Sequence, residues 1–171
     1  MKNKIAIIAG VQVPGRGLGK DQELLYHIPA DMKRFRDLTT GHIVIMGRTT
    51  WESIPEKLRP LPNRHNIVLT SNADYEATGA KVMTSLEEAI NQFEDDNYSI
   101  FLIGGARIYE EGMNYADTLY LTEFYGDKES DTFFPDYSNF GEEVGREKHT
   151  DKKSEVEFDF IEIQKRNQPT Q

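Results

Sequence analysis

Apolar residues recur along this chain in two rhythms. Short runs have the length and composition of strands: "KIAIIA" at Lys4 to Ala9, "HIVIM" at His42 to Met46, "NIVLT" at Asn66 to Thr70, "IFLI" at Ile100 to Ile103 and "TLYLTE" at Thr118 to Glu123. Several are apolar on both faces, which predicts central strands covered on both sides. Between them the spacing turns helical. Ile28, Asp31, Met32, Phe35 and Leu38 form one stripe, and Leu86, Ala89, Ile90 and Phe93 form another behind the capping box Ser85 to Glu88. A similar box, Thr49 to Glu52, predicts a short helix directly after "VIMG". Near the end, "SEVEFDFIEIQ" sets Val156, Phe158 and Phe160 against acids, and then Ile161 and Ile163 fall on the other phase. That slip predicts a bulge in an antiparallel edge hairpin that follows the charged turn "HTDKKS". The expected architecture is a single α/β domain over 1–165, a mostly parallel sheet of about eight strands with helices on both faces and an antiparallel C-terminal hairpin. The last residues, 166–171, read as a frayed tail.

Composition narrows the function. A chain of 171 residues is long enough for one real core. With 20 basic against 29 acidic side chains the net charge is −9, so the surface repels polyanions, and neither nucleic acid nor an anionic membrane is an expected partner. Cysteine is absent, which excludes disulfides, thiolate zinc sites and cysteine nucleophiles. The histidines, His27, His42, His65 and His149, are scattered without ligand spacing, so no metal is expected. The apolar run in "MKNKIAIIAG" is too short to span a membrane and lacks a signal-peptide cleavage pattern, making the cytoplasm the default location.

Four stretches could carry chemistry. "GRGLGK" at Gly15 to Lys20 lacks the glycine spacing of a P-loop or dinucleotide fingerprint, and reads as a mobile surface loop or a lid. "FLIGGARIYEEG" ends a buried strand in Gly104-Gly105 and starts a helix at once, which lets a ligand approach the backbone and favours phosphate. "VIMGRTTWESI" repeats the arrangement with Gly47, Arg48 and Thr49, so two such turns could grip one dinucleotide. In "YHIPADMKRFRDL", Asp31 heads an apolar stripe. It is either a helix N-terminal acid, as Pro29 suggests, or a carboxylate in an apolar cleft, suited to a flat ligand with an amidine-like N–C–N group. Arg64, after the Leu61-Pro62 turn, is either a surface charge or a clamp for a ligand carboxylate.

Taken together, "KIAIIA", "LLYHIPADMKRF", "VIMGRTTWESI", "RPLPNRHNIVLTS", "FLIGGARIY", "LYLTEF" and "DTFFPDY", in this order over nearly the whole chain, strongly resemble the dihydrofolate reductase family. The resemblance implies reduction of 7,8-dihydrofolate to tetrahydrofolate with NADPH, for one-carbon and thymidylate metabolism, by a monomer that also binds antifolate-type inhibitors. On this resemblance Asp31 is the ionisable group at the pterin, binding its 2-amino and N3 positions and promoting protonation of N5 through water. Thr122 would order that carboxylate from the neighbouring strand. Ile5, Ala6, Met32, Phe35, Ile54, Leu61 and Ile103 match the apolar walls, and Arg64 matches the clamp on the glutamate tail's α-carboxylate.

For the cofactor, the resemblance places Ile7, Leu18 and Gly19 beside the nicotinamide, with Ile103 shared between the two ligands. Gly47, Arg48, Thr49 and Thr50 would cover the pyrophosphate together with Gly104, Gly105, Ala106, Arg107, Ile108 and Tyr109, and the family joins its two glycines by a cis peptide. Leu69, Thr70 and Ser71 are further cofactor positions in an adenosine-binding subdomain over roughly 42–97, where Arg48 and Ser71 favour NADP over NAD.

Two departures stand out. Tyr26, followed by His27, occupies the place of a usual tryptophan; it still offers an aromatic wall and one hydrogen-bond donor to the water network. The segment Gly10 to Leu18 is longer than in common bacterial forms, which bears on lid closure. Two alternatives fit less of the pattern. A same-fold reductase of a ribosylaminopyrimidine would not need both Asp31 in an apolar cleft and Arg64 after Pro62. A noncatalytic binding module would not need Asp31, Phe35, Arg64 and Thr122 together.

Overall fold

The structure, a computed structural model, describes residues 3–93 and 97–166. The expected tail beyond residue 166, and residues 94–96 of the expected adenosine-binding stretch, lie outside the described residues. The elements run β1 (Ile5–Val13), β2 (Gly17–Lys20), β3 (Glu23–Leu24), α1 (Pro29–Thr39), β4 (Ile43–Gly47), α2 (Arg48–Ser53), β5 (His65–Leu69), β6 (Lys81–Met83) and α3 (Leu86–Gln92), with a 3-10 turn at Glu56–Leu58. They continue as β7 (Ile100–Leu102), α4 (Ala106–Gly112), β8 (Thr118–Tyr125), β9 (Thr132–Phe133), β10 (Gly141–Thr150) and β11 (Glu157–Lys165).

Eight strands form the main path, β10-β11-β8-β1-β7-β4-β5-β6, while β2, β3 and β9 make a small ribbon attached to β1. The strands from β8 to β6 are parallel, and β11 and β10 close the sheet antiparallel. Alternation explains why the central runs are apolar in both phases. In β1, Ile7, Ala9 and Val11 point to one face with Leu102 and Leu119, where α3 and α4 add Leu86, Ala89, Ile108 and Tyr109. Ala6 and Ile8 point to the other with Val44, Met46 and Phe101, where α2 adds buried Trp51 and α1 the half-buried Phe35 and Leu38.

Three local expectations change. First, the phase slip in β11 is not a bulge: its pairing with β8 runs without interruption from Phe158↔Phe124 to Gln164↔Thr118. Phe158 belongs to a small cluster with Tyr26, Ile28 and Phe124, whereas Ile161 and Ile163 enter the core on the α4 side, so the face that needs covering switches partway along the strand. The register shift lies in β10, between Glu143 and Gly145. Second, α2 is capped by the backbone of Gly47 rather than by Thr49; the helix starts directly from β4, two residues earlier than the box predicts, and has no side-chain cap. Ser85 does cap α3, accepting from the Glu88 amide at 3.1 Å. Third, "GRGLGK" is a ribbon rather than an irregular loop, since Gly17 to Lys20 is strand β2, paired with β1, β3 and β9.

Candidate active site

The parallel strands bring their C-terminal ends to one edge of the sheet, and the chemistry-bearing residues collect there. Helix α1 starts with Pro29 at its first position and an extended Ile28 as its cap, which puts Asp31 in the first turn. Its carboxylate does not cap the helix. Oδ1 instead accepts from the Thr122 hydroxyl of β8 at 2.5 Å. Burial pushes the Asp31 carboxyl above the usual carboxylate range; the Thr122 bond and the nearby Arg34 charge pull the other way. The stripe below the acid is only partly core. Met32 is 49% exposed, and Phe35 and Leu38 are only half-buried, so α1 presents an open apolar wall with one carboxylate at its head.

Strand register decides which part of β1 meets this carboxylate. Gly10 is the partner of Thr122, and a side chain on it would begin 3.8 Å from Asp31 Oδ2 and 2.9 Å from the Phe124 ring. Gly10 therefore reaches the site, with Ile8 two residues before it on the same face of the strand. Ile5 and Ala6, expected at the pterin wall, pair with Ile100 and Phe101 at the opposite end of the strand. Ile7, expected at the nicotinamide, is fully buried against α4 and is core. Ile54, Leu61 and Ile103 do lie on the same face as Phe35, at the half-buried rim of that core.

The two glycine turns stand side by side. The Gly47 amide donates to the Gly104 carbonyl at 2.9 Å, and Thr50 Oγ1 lies 3.5 Å from where a side chain on Gly104 or Gly105 would begin. Gly104 has φ +125°, a region that favours glycine, and the Gly104-Gly105 peptide is cis. Tyr109 from α4 braces the turn: its hydroxyl lies 2.9 Å from the Ile8 and Ile103 carbonyl oxygens and can donate to either. Around these turns Ala106 is half-buried, Ile108 is buried against Gly47, and Thr49 and Arg107 are exposed. Arg48 stacks 4.1 Å over the Tyr75 ring and donates to Glu52 Oε1 at 2.9 Å. Leu69 is nearly buried at the end of β5, Thr70 accepts from the Asn72 amide, and Ser71 is exposed. Leu18 and Gly19 lie in β2, beside the far end of β1.

Two side chains behave differently from a pattern-based expectation. Tyr26 is buried, stacked 4.6 Å from Phe124, and its hydroxyl donates to Gln12 Oε1 at 2.5 Å, so its hydrogen is committed to Gln12 rather than to a water beside Asp31. Arg64 is held by its own surroundings, donating to the Pro62 carbonyl at 2.9 Å and to Thr39 Oγ1 at 3.1 Å, 5.9 Å from the Phe35 ring. The turn that carries it is fixed by buried Asn66, which both accepts from Leu61 N and donates to Leu61 O at 2.9 Å. Asn66 and Gly10 are positions that residue type alone does not flag. Among the described residues no group of three or more His, Cys, Asp or Glu could hold a metal, and no helix is long and apolar enough to cross a membrane.

The dihydrofolate reductase family model matches residues 4–165. A dihydrofolate reductase of Bacillus subtilis is 39% identical over 154 residues, 89% of each chain, and one of Staphylococcus aureus is 37% identical over 150 residues, 86% of this chain and 90% of its own. A solved structure, dihydrofolate reductase from Enterococcus faecalis complexed with NADP(H) and RAB-propyl, superposes with a TM-score of 0.85 at 33% identity, covering 98% of this chain and 99% of that one.

Proposed function

The chain belongs to the dihydrofolate reductase family, and on that footing we propose that it reduces 7,8-dihydrofolate to 5,6,7,8-tetrahydrofolate with NADPH as reductant. The observation that carries this reading is the Asp31 carboxylate, held on Thr122 at the head of an open apolar wall. A flat pterin fits against Met32 and Phe35, and its N–C–N edge can donate two parallel hydrogen bonds to Asp31. As the ring takes up a proton at N5, the carboxylate stabilises the developing cation at short range in a partly dried cleft. Its raised proton affinity also suits it to pass a proton inward through water.

The residues at the glycine turns fit a dinucleotide. Gly104 and Gly105 leave the backbone bare, and a side chain on Gly104 would press on the buried Tyr109 that braces the turn, 3.2 Å from its hydroxyl. Thr50, Arg48 and Arg107 are donors around that turn, and Arg48 with exposed Ser71 would favour a 2′-phosphate. When bound, NADPH supplies the hydride. The protein's part is to stack, orient and dry the two rings, and to hold charge at Asp31. Arg64, with its guanidinium fixed beside Phe35, would take the carboxylate of the substrate's tail.

The test is loss of NADPH absorbance on adding dihydrofolate, with NADH run in parallel. Oxidation that depends on dihydrofolate and is faster with NADPH is the expected result. Folded protein that binds NADPH but oxidises it no faster with dihydrofolate would overturn the reading.

A further inference from the structure

One partly buried cation has no place in the chemistry above. Arg34 lies on α1 one turn after Asp31. Its Nη1 donates to the Leu121 carbonyl of β8 at 3.0 Å and its Nη2 to the Ile161 carbonyl of β11 at 3.2 Å. Leu121 and Ile161 are direct cross-strand partners, so a single guanidinium bridges the seam between the two strands. The Phe160 ring lies 4.6 Å from its central carbon, and the Tyr120 ring 5.9 Å.

Such a position is costly. A helix residue turned toward a sheet is ordinarily apolar, and withdrawing a guanidinium from water has to be offset by what it holds. A planar fork with several fixed donors suits two carbonyls at once, whereas an ammonium is a compact charge with no such fork. What it holds is informative. The residue after Leu121 is Thr122, whose hydroxyl bonds Asp31. Arg34, Leu121, Thr122 and Asp31 therefore close a ring, back to α1, that fixes the helix against the strand at the carboxylate.

We propose that Arg34 is a positioning residue for Asp31: it clamps α1 to β8 and β11 so that the carboxylate meets Thr122, and it keeps one positive charge a helical turn away. The proposal rests on the reading that Asp31 acts on the substrate. The other groups facing the carboxylate cannot supply that charge. Thr122 is neutral, and Tyr109 from α4 is a phenol that burial pushes far above its ordinary range. Arg34 itself faces Asp31 on its own helix, Tyr120 from β8, Glu162 from β11 and Glu147 from β10. Burial raises the Asp31 carboxyl while Thr122 and Arg34 oppose it, so loss of Arg34 raises it further and leaves less negative charge at the head of the cleft.

The test compares Arg34→Gln, which removes the charge, with Arg34→Lys, which keeps it but lacks the planar fork. Protein labelled with carbon-13 at the aspartate carboxyls is titrated by NMR, the Asp31 signal being the one missing from Asp31→Asn. In Arg34→Gln the Asp31 midpoint is expected to move to higher pH, with kcat/KM for dihydrofolate falling about tenfold and NADPH affinity unchanged. In Arg34→Lys the midpoint stays near that of the wild type while kcat/KM still falls. A wild-type midpoint in folded Arg34→Gln overturns the proposal. Should Arg34→Gln not fold, Arg34→Lys decides, and wild-type kcat/KM there overturns it. Absence of dihydrofolate reduction in the unaltered protein would instead overturn the functional reading, and the titration would still report whether Arg34 governs Asp31.

Discussion

Asp31 shows how one side chain trades stability for chemistry. An acid raised by burial holds its proton more tightly in the folded chain than in the unfolded one. The mismatch subtracts from stability above the raised value and is relieved as pH falls through it. Asp31→Asn keeps an acceptor for Thr122 without the charge. It is expected to raise Tm at neutral pH by about 2–4 °C, for roughly 1 kcal/mol, and to remove this pH dependence, as read by thermal scans. Its activity goes the other way. The rate of dihydrofolate reduction at neutral pH should fall by about 10²-fold or more with NADPH affinity unchanged, and wild-type turnover across the pH range would sink the assigned role. Tyr26 is the contrasting case. With its hydroxyl spent on Gln12, Tyr26→Phe should cost about 1 kcal/mol in denaturant unfolding and leave kcat within a few-fold of the wild type.

At the scale of elements, the two glycine turns depend on backbone shape. Gly104→Ala places a side chain at φ +125° and 3.2 Å from the Tyr109 hydroxyl. It should destabilise the protein by about 1–3 kcal/mol and weaken NADPH binding more than dihydrofolate binding, measured by titration of each ligand. These turns were legible because a buried strand that runs straight into Gly-Gly and then a helix leaves its backbone bare at the point where free amides converge. The central strands were legible for a related reason: both faces are covered, so both phases are apolar. The same property hid the register of β1. A run apolar in both phases can slide without changing its pattern, and nothing in "KIAIIA" itself distinguishes Ile5 and Ala6 from Ile8 as neighbours of the acid. Strand β10 left no signal because it is exposed along nearly its whole length. Thr49 and Glu52 fit a capping box, but the strand before them delivers the chain to the helix two residues too soon.

For the whole molecule, the C-terminal strands are joined by a charge centre that no run of residues announces. Arg146 of β10 meets Glu123 of β8 at 2.9 Å and Asp159 of β11 at 2.6 Å, and it also pairs with Glu143; Tyr125 donates to Asp159 at 2.6 Å. Burial raises the Asp159 carboxyl, but Tyr125 and Arg146 outweigh it and hold it below the usual range. Its stabilising contribution is therefore present above the ordinary carboxylate value and lost as pH falls through the lower folded one. Arg146→Met strands a carboxylate that is 2% exposed and should cost about 2–3 kcal/mol at neutral pH, a Tm lower by roughly 5–10 °C, with the deficit shrinking in acid.

The shift at Glu143 and Gly145 has a consequence for how these molecules tolerate crowding. β10 ends the sheet with a row of unpaired backbone groups, the kind of border that invites another chain to add on. The extra residue there, Val144, breaks the straight ladder, and Glu142, Glu143, Arg146, Glu147 and Lys148 surround the break with charge. A newcomer strand would have to match a kink and desolvate those charges together, so this border of the sheet resists templating.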